Sequence, residues 1–151
     1  MSARRFYEDL VVGETLESGE MRVEKDEVLA FASKYDPQYF HADEEAARDS
    51  VFGEVVASGI HTMAMWRQLD HQIAADIAWI CGVAWDDVRF PRAVRPGDCL
   101  RARATCLDKR LSRTDPSRGI ARYRYELLNQ KDEIVFECVS TNLVHRRPAP
   151  A

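Results

Sequence analysis

The stretch Ser58-Gly59-Ile60-His61-Thr62-Met63-Ala64-Met65-Trp66-Arg67-Gln68-Leu69-Asp70-His71-Gln72-Ile73-Ala74-Ala75 decides the fold. Ser58 carries the short hydroxyl side chain that caps a helix by accepting from an orphan backbone N–H. Beyond it, Ile60, Met63, Ala64, Met65, Trp66, Leu69 and Ile73 cover too much of the helix circumference for a surface helix. The pattern predicts a long helix, ending at about Ala75, that other elements must bury.

Candidates for that role lie C-terminal to it. From Cys99 to Leu107 the chain alternates, with Leu100, Ala102, Ala104 and Cys106 on one face and Arg101, Arg103 and Thr105 on the other. Ile120 to Leu128 and Ile134 to Val144 behave similarly, joined by a hairpin-like turn at Asn129-Gln130-Lys131-Asp132. A further strand is expected from Val88 to Val94, closed by the turn Arg95-Pro96-Gly97-Asp98. One buried helix followed by long antiparallel strands predicts an α+β fold with the sheet wrapped round the helix.

On the N-terminal side, a turn at Gly13 and a strand or two through Val23 lead to a helix bearing Val28, Leu29, Phe31, Ala32 and Tyr35, with Asp26 as its expected cap. That helix should stop by Asp36, because the residue before Pro37 is pushed out of the α region. Asp43 is expected to cap a short helix from Glu44 to about Asp49.

The chain has 151 residues, 46% of them hydrophobic, and a net charge of −4, which suits one globular domain over 1–145. The tail from Arg146 to Ala151 reads as disordered. The mild acidity argues against a nucleic-acid or anionic-membrane partner, and no apolar run is long enough to span a bilayer. The pair Arg4-Arg5 is followed by Glu8 and Asp9 rather than an apolar segment, so no signal peptide is expected and a cytoplasmic setting is. Cys81, Cys99, Cys106 and Cys138 form no CxxC pair, and each reads as a small reduced hydrophobe in an apolar or strand-like run. His61, His71 and His145 lack neighbours at metal-ligand spacing, so no metal is expected. Glycine-rich nucleotide loops and the GxSxG elbow are absent from the sequence.

One segment looks unlike scaffold: Tyr35-Asp36-Pro37-Gln38-Tyr39-Phe40-His41-Ala42-Asp43. It sets an acid and an imidazole five residues apart across a proline-broken loop between two helices. Such a loop can fold both side chains toward one point, and a carboxylate and a histidine sharing a water can activate it and return a proton. The bland alternative is a cap and a surface residue. The second segment is Val55-Val56-Ala57-Ser58-Gly59-Ile60-His61-Thr62, whose Ser-Gly pair opens the long helix. Its free N–H groups and positive end can hold an oxyanion, or serve only as a cap with a glycine needed for packing. Met63, Met65 and Trp66 suit either an acyl pocket or core packing.

Three blocks, Tyr35 to His41, Phe52-Gly53-Glu54-Val55-Val56-Ala57-Ser58-Gly59 and Val88-Arg89-Phe90-Pro91-Arg92-Ala93-Val94-Arg95-Pro96-Gly97-Asp98, together resemble the MaoC-like dehydratase family. Ser112-Arg113, Arg118-Gly119-Ile120 and Asn129-Gln130 add to the resemblance, which runs in order over about residues 10 to 145. It implies a hot-dog fold, working as a homodimer or a higher oligomer of dimers. It also implies (R)-specific enoyl-CoA hydratase chemistry on an acyl-CoA thioester, with no cofactor. Under it, Asp36 and His41 are the catalytic pair that activates water and protonates the α-carbon. Gly59 is the backbone donor to the thioester carbonyl, with Ser58 beside it. The loop departs from the Asp-x-Asn-Pro-(Leu/Ile)-His pattern of familiar hydratases: Gln38 takes the Asn position, Tyr39 the Pro position, and Pro37 follows the aspartate directly. Two other readings stay open, a hot-dog thioesterase and a non-catalytic acyl-CoA-binding protein.

The net charge hides an asymmetry. Residues 89 to 124 hold eleven Lys or Arg against three Asp, a local +8 that leaves −12 elsewhere. Either Arg101, Arg103, Arg122 and Arg124 pair with Glu126, Glu133 or Glu137 on a solvated sheet face, or some arginines, Arg89, Arg92 and Arg95 foremost, hold the phosphates of CoA.

Overall fold

A computed structural model describes residues 4–150. After a 3-10 turn at Tyr7–Asp9 come β1 (Thr15–Glu17), β2 (Met21–Arg22), α1 (Lys25–Tyr35), α2 (Tyr39–Ala42), α3 (Glu44–Ala47), α4 (Gly59–Ala74), β3 (Trp79–Arg89), β4 (Cys99–Leu111), β5 (Arg118–Leu128) and β6 (Ile134–His145). The strands form one antiparallel sheet in the order β1-β4-β5-β6-β3, with β2 also pairing β4. The sheet wraps α4, the hot-dog arrangement that the sequence implies.

α4 begins where expected, with the Ser58 hydroxyl accepting from the Ile60 N–H at 3.2 Å. Its buried residues, His61, Thr62, Met65, Trp66, Leu69, Asp70, Ile73 and Ala74, fall in one stripe at helical spacing. The helix is not buried all round: Ile60 and Ala64 are exposed and Met63 is half-buried. Against the stripe stand Leu100, Ala102, Ala104 and Cys106 of β4, Tyr123, Tyr125 and Leu127 of β5, and Val135, Phe136 and Cys138 of β6. These are alternate positions along β4 and β5, as the period of two requires.

Five local expectations change. α1 starts at Lys25, with Glu24 rather than Asp26 at its cap position and no side chain bonded there. The loop through His41 contains the one-turn helix α2: Pro37 keeps Asp36 out of the α region and ends α1, and extended Gln38 then opens a new turn. α3 ends at Ala47 and continues only as i to i−3 turns through Ser50. The strand expected at Val88–Val94 is instead β3, which ends at Arg89. Three register irregularities and a left-handed Asp87 (φ 52°) break the pleat of β3 and erase its alternation. Cys81, on β3, is exposed, whereas Cys106 and Cys138 are buried as small hydrophobes.

The tight turns read as expected. Pro96 and Gly97 (φ 91°) close the turn in which Asp98 N donates to the Arg95 carbonyl at 3.0 Å. Asp132 (φ 60°) closes the β5–β6 hairpin. Beyond β6, Arg146 reaches Glu8 and the Pro116 carbonyl, and Arg147 pairs with Asp9. Ala151, the end of the expected disordered tail, and residues 1–3 lie outside the described residues. Among the described residues no helix is long and apolar enough to cross a membrane.

Leu127 has no exposed surface, so Leu127→Ala is expected to lower unfolding free energy by about 2–5 kcal/mol in urea titrations. Val51→Ala, at a side chain 96% exposed, should stay within about 0.5 kcal/mol of the parent.

Candidate active site

The site forms where the end of α1, the turn α2 and the start of α4 meet. Asp36 is the C-cap of α1 and donates its N–H to the Ala32 carbonyl at 2.9 Å. The chain then tightens around Pro37, with Gln38 N donating to the Asp36 carbonyl at 2.8 Å. α2 follows at once and brings His41 back toward Asp36. Asp43 accepts from the N–H groups of Glu45 and Ala46, both at 3.0 Å, and so caps α3 as its sequence position suggests.

Two backbone contacts lock α2 to the segment before α4. Val56 N donates to the Phe40 carbonyl at 3.0 Å, and His41 Nδ1 lies 2.6 Å from the Val56 carbonyl. A carbonyl only accepts, so Nδ1 carries the proton and a neutral His41 presents a bare Nε2. That Nε2 faces Asp36 Oδ2 across 3.9 Å. The imidazole is 9% exposed as a residue, while the Asp36 side chain keeps 28% of its surface. Phe40 packs edge-on to His41 at 4.4 Å and, on its other side, meets Phe52 at 5.5 Å. The imidazole is therefore held on one edge by a hydrogen bond and on one face by an aromatic ring.

Ser58 does more than cap. Its hydroxyl donates to Asp36 Oδ2 at 2.7 Å while accepting from Ile60 N, so one buried side chain joins the carboxylate to the first turn of α4. The Gly59 N–H belongs to the same turn and has no intrahelical acceptor. A Cβ at Gly59 would stand 3.1 Å from the Phe90 ring, so a larger residue here would push that ring aside by a few tenths of an ångström. Asp36, His41, Ser58 and Gly59 are thus brought together.

The three arginines divide. Arg92 and Arg95 line an open hollow of about 460 Å³ with Phe52, Asp98, Gln130 and Lys131, and Arg89 is not on its wall. Arg92 pairs with Glu133 at 3.1 Å, and Arg95 donates to the Phe52 carbonyl at 2.9 Å and lies 3.7 Å from Glu54. The expected sheet-face pairing holds for Arg103, 3.0 Å from Glu126; Arg101 goes instead to Asp132 and Arg122 to Asp108.

His61 is buried against Phe31, its ring stacked at 4.6 Å, and burial pushes its pKa down. His71 and His145 are exposed, and among the described residues no cluster of three His, Cys, Asp or Glu side chains is arranged to hold a metal. Two participants escaped sequence reading. Phe90 was hidden because its strand was misplaced, and the Ser58–Asp36 bond spans 22 residues with no periodic signal.

Comparison with known proteins places these features in context. A family model described as the MaoC-like domain matches residues 9–126. An uncharacterized protein of Bacillus subtilis, YdeM, is 32% identical over 142 residues, covering 92% of this chain and 98% of its own. The crystal structure of a MaoC-like dehydratase from Rhodospirillum rubrum superposes with a TM-score of 0.89 at 39% identity, covering 96% of this chain and 99% of that one. The R-hydratase PhaJ1 from Pseudomonas aeruginosa shares the fold, with a TM-score of 0.76 at 20% identity over 97% of this chain and 91% of its own.

Ser58→Ala removes a cap and the hydrogen bond to Asp36, and should cost about 1 kcal/mol in thermal or urea unfolding. Ser58→Thr, which keeps the hydroxyl, should recover most of that loss.

Proposed function

The chain belongs to the MaoC-like domain family, and on that premise we propose that it is a hydro-lyase adding water to, or removing it from, the 2,3 double bond of an enoyl-CoA. One observation carries the reading: Asp36 Oδ2 and the bare Nε2 of His41 face each other at 3.9 Å, beside the first turn of α4. A water between them can hydrogen-bond to both. The pair takes one proton as the water oxygen bonds to the β-carbon, and the double-bond electrons move toward the thioester oxygen as enolate charge. The Gly59 N–H and the positive end of the sixteen-residue α4 stabilise that charge. The proton held by the pair then goes to the α-carbon, leaving Asp36 and His41 as they began. Ser58 orients the carboxylate throughout. This sequence uses no cofactor. The Rhodospirillum rubrum dehydratase and the R-hydratase PhaJ1 support the class of reaction.

The CoA moiety is assigned to the hollow holding Arg92 and Arg95, two aromatic rings, Phe52 and Phe40, from His41. Arginine forks suit phosphate oxygens, which would compete with Glu133 and Glu54 for them. Arg89 lies outside this hollow and drops to a secondary candidate. A homodimer is proposed along β3, which ends the sheet and leaves Val83, Trp85 and Val88 exposed on an unpaired edge. The unpaired cysteines suit a cytoplasmic setting.

Loss of the enoyl absorbance of a trans-2-enoyl-CoA should be readily measured for the parent. It should fall by at least about a hundredfold for both Asp36→Asn and His41→Ala, with circular dichroism unchanged. Full activity in both variants would remove these residues from the mechanism, and release of free thiol without hydration would favour a thioesterase. Arg92→Gln combined with Arg95→Gln should raise KM for the CoA thioester by about tenfold. The same double variant should leave KM for the matching pantetheine thioester unchanged; an equal rise for both would move the phosphates elsewhere.

A further inference from the structure

His61 is a buried titratable side chain that the mechanism above does not use. It sits in the first turn of α4, 7% exposed, and its ring lies parallel to that of Phe31 on α1 with centroids 4.6 Å apart. Its Nδ1 is enclosed with no hydrogen-bond partner. An imidazolium carries a proton on both ring nitrogens, so charging this ring places an N–H where no acceptor stands.

The charged surroundings do little to offset that cost. Between Gly59 and Trp66, α4 has no other titratable side chain. On α1 the titratable residues one turn from Phe31 are Glu27, Lys34 and Tyr35, all exposed. Among the described residues, Glu27 is the one charged group that acts on the ring; its attraction is weaker than the effect of burial, which holds the His61 pKa below its ordinary value.

The seam that His61 fills also carries the catalytic acid. Ser58, three residues earlier and so a neighbour on the same side of α4, donates to Asp36 Oδ2 at 2.7 Å. Ala32, next to Phe31, accepts the Asp36 N–H at 2.9 Å. The end of α1 is therefore tied to α4 by a hydrogen bond at the carboxylate and by a ring stack one turn deeper.

We propose that His61 is a positioning residue for Asp36: the neutral ring seats α1 on α4, and its protonation loosens that seat and separates Asp36 from His41. Opening the seam gives the ring access to water and returns its pKa toward about 6.5. Protons therefore favour the open form. The closed corner keeps its full advantage above that value and loses it as the pH falls through the lower pKa of the closed form. The inference rests on the enoyl-CoA reading for the task of Asp36, but the seam can be tested without substrate.

NMR titration of the histidine rings, combined with hydrogen exchange at the Asp36 amide corrected for its intrinsic rate, tests the seam in the parent. His61 should titrate below the exposed His71 and His145, and protection of Asp36 should fall by at least about threefold from pH 7.5 to 5.5. Titration of His61 together with the exposed histidines, or unchanged protection, would overturn the proposal. His61→Phe keeps a ring on Phe31 and removes the titration, so its loss of protection over the same range should be at least about threefold smaller; a loss equal to the parent's would assign the effect elsewhere and overturn the proposal. If that variant fails to fold, the parent titration still decides. With a trans-2-enoyl-CoA, kcat/KM of the parent should drop more steeply toward pH 5.5 than that of His61→Phe, and parallel profiles would overturn the positioning role. Absence of turnover at every pH would sink the hydratase reading and leave the exchange result standing.

Discussion

Trp66 has no exposed surface, and it is held by Trp85 from β3, Tyr125 from β5 and Phe136 from β6, all with ring centroids within about 5 Å. This one indole fixes the height and rotation of α4 inside the sheet. Because α4 is rigid over sixteen residues, fixing its middle also fixes both ends. The N-terminal end carries Ser58 and Gly59; three turns along lies Asp70. The hot-dog wrap is thus what aims the chemistry, with Trp66 seated among three strands and Met65, Leu69 and Ile73 in the same core.

From Ser58 the order spreads to the catalytic corner. Its hydroxyl spends its donor on Asp36 and accepts the Ile60 N–H, so the carboxylate is tied to the helix end rather than left on a loop. Two residues earlier the Val56 carbonyl fixes His41. Pairs of groups held from opposite sides by rigid partners lose little entropy when they take up a reactant, which is the sense in which such a corner is preorganised. The positive end of α4 then faces the place where enolate charge gathers, so the element that organises the core also supplies the electrostatics.

Much of this was legible in the sequence, for identifiable reasons. α4, β4 and β5 announce themselves because one face of each is buried over many residues and leaves a clean period, and β6 by its run of strand-forming residues after a turn. Ser58, Asp36, His41 and Gly59 could be picked out because their residue types and spacing match a family pattern. β3 could not be read: Gly82, Asp86 and Asp87 interrupt it, and its register irregularities put apolar side chains such as Val83 and Trp85 on an exposed edge. The turn α2 is too short to have a period, and the helix cap at Glu24 makes no side-chain bond to betray it. Only the packing of the sheet around Asp70 shows that its carboxyl is buried, with Arg67 as its ion-pair partner.

The basic segment from 89 to 124 illustrates a similar division. Three of its arginines, Arg101, Arg103 and Arg122, find carboxylates on neighbouring strands, which disperses charge over a solvated face, and exposed pairs of that kind add little stability. The catalytic corner depends on a quieter interaction, the 2.6 Å contact between His41 Nδ1 and the Val56 carbonyl. Nitrogen-15 NMR of the histidine ring at a pH where His41 is neutral tests it directly. A protonated Nδ1 with a pyridine-type Nε2 is the predicted result. A resonance showing the proton on Nε2 would leave no base facing Asp36 and would contradict the account.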